Sequence, residues 1–253
     1  MPGPVDLVLV AVLVILAPVV ALWERRRLER DLAAAVPRAR LAAYRRIMLM
    51  EWGTAAVLLV LWAAAGRELA LLGIRPPNGR GFGIAAAVTL AVVILLVVQL
   101  RAVRQRPQVA AQVRAAAAPM SYLLPATAGE LHRFGWVSLT AGLVEELLFR
   151  GYLMWYFGAL GPTWMALLVS SLLFGIGHAY QGAAGIAKTG AVGLFLGALY
   201  WLSGSLWIPI VLHAIVDAIN GRMVYDASGA GDGSNETGVR DGQPDEESRV
   251  RAR

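Results

Sequence analysis

The sequence has no cysteine. That excludes a disulfide framework, a thiolate metal site and a cysteine nucleophile. Charge is scarce as well: 16% of the 253 residues are Asp, Glu, Lys or Arg, against about 25% in soluble domains. Lys188 is the single lysine, so 22 of the 23 basic residues are arginine. Histidine is limited to three positions, and the His-Glu-x-x-His zinc motif is missing. What fills the chain instead is apolar: 58% hydrophobic residues and a mean hydropathy of +0.60. A soluble domain of this length could not hide so much apolar surface. The composition therefore predicts an all-α fold, a polytopic transmembrane helical bundle.

About seven stretches are long and apolar enough to cross a bilayer, at 4–23, 47–66, 82–100, 134–158, 163–181, 183–203 and 206–225. The net charge of +6 would suit nucleic acid, but the arginines lie between the apolar runs and read better as topology signals. No nucleic-acid partner is expected; the lipid bilayer is. The 24–46 loop holds eight arginines, 101–133 holds five, and the stretch from Arg222 onward holds five. The 67–81 loop holds three, and the short loops at 159–162 and 204–205 hold none. An odd number of spans satisfies every loop with the N-terminus outside and the tail in the cytoplasm, in a multi-pass protein of the cell membrane. The first span is not a typical signal peptide, since no positive charge precedes it and no small-x-small site follows.

Three regions are expected: an N-terminal transmembrane part with a cytoplasmic segment (1–124), a four-span core (125–225) and a disordered polar tail (226–253). Thr127-Ala128-Gly129-Glu130 has the pattern of a capping box at the start of the fourth span. Gly193-x-x-x-Gly197 is a helix-packing signal.

Ionisable side chains inside spans are expensive, about 2.5–3.5 kcal/mol each at mid-helix on insertion scales. Here they gather on three helices. Span four carries Glu145-Glu146-Leu147-Leu148-Phe149-Arg150. Glu146 and Arg150 are i and i+4, acid before base, which is the favourable order for a pair. Glu145 points elsewhere and has no partner in its own helix. It reads either as a general base or, with Glu146, as interhelical glue. Span five carries Phe174 one turn before His178, where the ring can orient the imidazole. Span seven places His213, Asp217 and Asn220 on one face, as site groups or as cross-helix hydrogen bonds. Glu51, near the start of span two, reads as an interfacial residue within reach of water. A glutamate, two histidines and a carboxylate or carboxamide are the groups that activate water and stabilise an oxyanion. They are also groups that can hold a metal.

Glu-Glu-x-x-x-Arg (145–150), Phe-x-x-x-His (174–178) and His-x-x-x-Asp (213–217), in that order and each in an apolar helix, resemble the three motifs of the CPBP (CAAX protease and bacteriocin-processing, or Abi) intramembrane endopeptidases. The resemblance covers roughly 125–222. It implies a helical membrane protease that cleaves a membrane-associated protein or peptide near the cytoplasmic face. By that resemblance Glu145 activates water, His178 helps hold it, and His213 with residue 217 supports the oxyanion, while Glu146 and Arg150 form a structural pair. The third motif often ends in Asn, and here Asp217 stands; a carboxylate donates to an oxyanion only when protonated, so it would otherwise orient His213 or join a metal site. Asn220 could supply the amide from one turn away. The family name implies a metalloprotease, with Glu145, His178 and His213 as ligands of a Zn²⁺. A metal-free route is preferred, because no further carboxylate is obviously free to be the base. Two other classes use the same residues: a non-catalytic membrane scaffold or immunity and sensing partner, and a small transporter or proton relay. The missing inverted repeat argues against the last.

Overall fold

The computed structural model describes residues 1–78 and 81–229. The polar tail expected over 226–253 lies outside the described residues from 230 onward. Every regular element among the described residues is helical. Helix α1 spans Pro4–Ala33 and α2 spans Ala39–Ala64. Helix α3 spans Phe82–Gln105 and α4, a short helix, Pro107–Ala117. Helix α5 is one continuous run over 128–158. Helix α6 is Thr163–Gly177, α7 is Ala183–Ser203 and α8 is Trp207–Ala227. Five of these, α1, α2, α3, α7 and α8, are long and apolar enough to cross a membrane. Helix α6, at 15 residues, is shorter.

Local sequence accounts for the helix ends and irregularities. Pro4 and Pro107 occupy first helical positions, where a missing N–H is harmless. Thr127 caps α5 by accepting from the Glu130 N–H at 3.2 Å. The predicted box is displaced by one residue on its other side, since the Glu130 carboxylate accepts from Ala126 N–H at 2.8 Å. Pro18 lies inside α1, and the helix widens to a π segment over Val12–Leu16 just before it. The wider turn accommodates the proline ring and the lost hydrogen bond.

The exterior is apolar. Leu90, Ile94, Leu95 and Val98 of α3 are all exposed, a surface suited to lipid rather than water. Helix α8 packs most extensively on α5, and α6 on α7. Helices α2 and α5 run parallel. The Tyr44 and Phe134 rings lie 5.7 Å apart, Trp52 Nε1–H donates to Thr140 Oγ1 at 3.2 Å, and Trp62 lies 4.7 Å from Trp155. Val10, Leu13, Leu58, Val144, Leu148 and Tyr152 pack in one cluster between α1, α2 and α5.

A polar pin fixes α1 to this pair. Arg67 donates to both carboxylate oxygens of Asp6 at 2.7 Å, and Tyr152 Oη donates to the Asp6 carbonyl at 3.0 Å. The hydrogen bond to Asp6 holds the Arg67 guanidinium above its ordinary value. Arg67→Ala strands a buried carboxylate, and thermal unfolding in detergent is expected to show a loss of about 2 kcal/mol. An unchanged melting temperature would contradict this role for the pin.

Candidate active site

The site is assembled from the middle of α5, the C-terminal end of α6 and the middle of α8. Glu145 and Glu146 end the first regular α-helical stretch of α5; a π segment follows over Leu147–Leu153. Such wide turns are frequent at functional sites. Gly142, one turn earlier, lets α8 approach: a Cβ there would lie 2.9 Å from the Ala214 backbone nitrogen and 3.0 Å from the Ile210 carbonyl. That proximity brings His213 within reach of the two glutamates.

Glu145 Oε2 lies 3.8 Å from His178 Nε2 and 3.9 Å from His213 Nε2. It is shielded from solvent and makes no hydrogen bond. The rings are held from behind. His178 Nδ1 is 2.8 Å from the Phe174 carbonyl, which can only accept. That partner assigns the proton to Nδ1 and leaves the Nε2 lone pair facing Glu145 in the neutral ring. His213 Nδ1 is 2.8 Å from Glu146 Oε1. Asp217 Oδ2 is 3.6 Å from His213 Nε2, on a side chain more exposed than any other in the cluster.

Glu146 thus does more than pair along its own helix. Arg150 Nη1 donates to its Oε1 at 2.8 Å, and both side chains are fully buried. Arg150 Nη2 continues to the Gly193 carbonyl of α7 at 2.9 Å. Gly193, the first glycine of the packing signal, leaves room for this: a Cβ there would lie 3.3 Å from Arg150 Nη2 and 3.1 Å from the Phe174 ring. The guanidinium also sits over Phe174, 4.4 Å from its centroid. Phe174 is a hub, with its centroid 4.6 Å from that of His178 and 6.1 Å from that of His213.

Three placements differ from what spacing suggests or lie beyond it. Asn220 shares the α8 face with His213 and Asp217 in sequence, yet it is exposed and joins none of the site's hydrogen bonds. Glu51 is not simply interfacial: its Oε2 is shielded and without a hydrogen bond, because α2 starts at Ala39 and turns this residue inward. Tyr180, with its ring 5.6 Å from that of His178, belongs to no motif in the sequence. A cavity of about 550 Å³ opens beside the cluster. Its wall is mostly apolar residues of α1 and α2, with Glu51, Glu145, His178 and Tyr180 supplying polar groups. Tyr122 lies at its rim, and burial pushes that phenol up to about 12, so it is a neutral donor at physiological pH.

Residues 127–219 match the family described as type II CAAX prenyl endopeptidase, Rce1-like. That match is consistent with the CPBP family. It takes in Glu145, Glu146, Arg150, Phe174, His178, His213 and Asp217, on α5, on α6 and its C-cap, and on α8. An uncharacterized 24.3 kDa protein of Escherichia coli is 35% identical over 80 residues, covering 30% of this chain and 37% of that relative. The chain therefore aligns with little more than a third of that curated relative. No solved structure matches it.

The CPBP resemblance raises a metal. Among the described residues no three His, Asp or Glu side chains are arranged to hold one. Glu145 has one oxygen near both Nε2 atoms, but Asp217 reaches only His213 and Glu146 is committed to Arg150 and His213 Nδ1.

Proposed function

We propose that the chain is an intramembrane endopeptidase that hydrolyses a peptide bond in a membrane-associated protein or peptide. The observation that carries this reading is the convergence of Glu145, His178 and His213, from three helices, around one point. Glu145 Oε2 lies within 4 Å of both Nε2 atoms, a gap that a single water bridges. The Glu145 carboxylate takes one proton from that water. His178 Nε2, its lone pair exposed by the Nδ1 contact to Phe174, accepts the other O–H and aims the oxygen at the substrate carbonyl. The new tetrahedral oxyanion needs a donor. His213, protonated on both nitrogens, supplies Nε2–H, with Glu146 bracing Nδ1 and Asp217 beside Nε2. Glu145 then passes its proton to the leaving nitrogen, the C–N bond breaks, and the site is reset.

The test is cleavage of membrane-associated peptides by the purified, reconstituted chain and its Glu145→Gln, His178→Ala and His213→Ala variants. If all three retained full proteolysis, the reading would fail.

The orientation follows from charge. The arginine-rich end of α1 and start of α2 face the cytoplasm with the turn between them, and the α2–α3 connection lies outside. The lack of native cysteine makes this directly measurable. Val36 and Leu69 are exposed on opposite connections. A thiol at Val36→Cys is expected to resist an impermeant maleimide added to intact cells, and one at Leu69→Cys to react. The reverse pattern would invert the topology.

A further inference from the structure

Glu51 takes no part in the steps above, yet it lines the same cavity as Glu145, His178 and Tyr180. The parallel packing of α2 and α5 puts it there: with Trp52 bonded to Thr140, Glu51 is level with Leu139, between one and two turns before Glu145. Glu51 thereby faces the same cavity as the Glu145 carboxylate. Its Oε2 is out of solvent and has no hydrogen-bond partner.

The cavity's other charges are already matched. Glu24 accepts from Arg46 Nε at 2.9 Å. Arg25, the base in the cavity wall, donates to Glu29 at 2.8 Å and to the Tyr180 carbonyl. Glu51 is thus left as a carboxyl group without a hydrogen-bond partner, in a low-dielectric, largely apolar space. A cationic donor brought in by a ligand would favour the ionised form of that carboxyl and hold it in a charge-assisted hydrogen bond, stronger there than in water. The rest of the wall, including Leu13, Leu16, Val20 and Val57, would receive apolar side chains.

We propose that Glu51 is a specificity-determining residue that receives the ammonium or guanidinium group of a basic side chain in the substrate peptide, flanked by apolar residues. The proposal rests on the endopeptidase reading for the identity of its occupant as a peptide. Its test does not read cleavage.

The full chain in detergent is titrated with fluorescent Leu/Ala-rich peptides that differ only in one residue, Lys or norleucine, stepped through the central positions. At one or more positions the Lys peptide is expected to bind at least about tenfold more tightly. In Glu51→Gln that preference should collapse while the norleucine peptides bind as before. Glu51→Asp, which keeps the charge, should retain part of it. Since the Glu51 carboxylate has no partner to lose, Glu51→Gln should melt no lower than the parent chain, which separates recognition from a structural role. Equal affinities throughout the series, or a preference that survives Glu51→Gln, would overturn the proposal. So would displacement of the Lys peptide by phosphatidylethanolamine, which would assign the cation to a lipid headgroup. A chain that binds selectively but cleaves nothing would sink the protease reading alone. One that cleaves in a Glu145-dependent way without selectivity would sink this inference alone.

Discussion

Glu145→Gln is expected to lower peptide cleavage by about 10²–10⁴-fold without lowering the melting temperature of the purified chain. The two halves of that expectation have one cause. Glu145 Oε2 is buried beside two imidazoles and makes no hydrogen bond, so the fold does not lean on it. A carboxamide of the same shape keeps the packing but cannot take a proton from water. His178→Ala and His213→Ala remove the groups that aim the water and stabilise the oxyanion, and each should lose a similar factor. Their effects should not add, because the three groups act on one water and one carbonyl. The measurement is initial rate against substrate concentration in proteoliposomes, with melting followed in parallel. A Glu145→Gln chain that cleaves at the parent rate would leave the cluster without a catalytic role.

The sequence is most informative along single helices. The seventh apolar stretch, placed at 206–225, is helix Trp207–Ala227, and the sixth, 183–203, coincides with Ala183–Ser203. The first apolar stretch ends at 23 because hydropathy collapses at the arginines. The helix nevertheless runs on to Ala33, carried by i,i+4 pairs such as Arg25 with Glu29 at 2.8 Å. The Glu146–Arg150 pair is legible for the same reason that single spans are: both partners sit on one helix at a favourable spacing. What spacing cannot show is the second partner of Glu146. His213 lies on another helix, 67 residues away, and only the approach of α8 over Gly142 makes them neighbours. Glu51 is the same lesson in reverse. Its position near the start of a span suggests water, but the packing of α2 against α5 turns it into the cavity. Asn220 shows the limit of face counting, since sharing a face with His213 and Asp217 does not bring it to the cluster when the helix runs on past the site.

Arg150→Ala is expected to reduce stability by about 3–5 kcal/mol, the range for breaking a buried ion pair from one side. The guanidinium is fully buried with Glu146, bridges to the Gly193 carbonyl and covers the Phe174 ring. Its removal leaves the buried Glu146 carboxylate with His213 alone and takes the partner from the Gly193 carbonyl and the Phe174 face. Arg150→Lys should recover only part of the loss, because one ammonium cannot serve Glu146 and Gly193 in the same forked geometry. The informative comparison is with the double variant Glu146→Gln, Arg150→Met. Replacing both charges together removes the stranded carboxylate, and such replacements are often close to neutral, so its melting temperature should lie well above that of Arg150→Ala. Cleavage should stay low, since His213 Nδ1 has then exchanged a charged acceptor for an amide and the imidazolium that supports the oxyanion loses its brace. Stability regained without activity is the signature expected if Glu146 serves the fold through Arg150 and the chemistry through His213. Full activity in the double variant would confine Glu146 and Arg150 to a structural role.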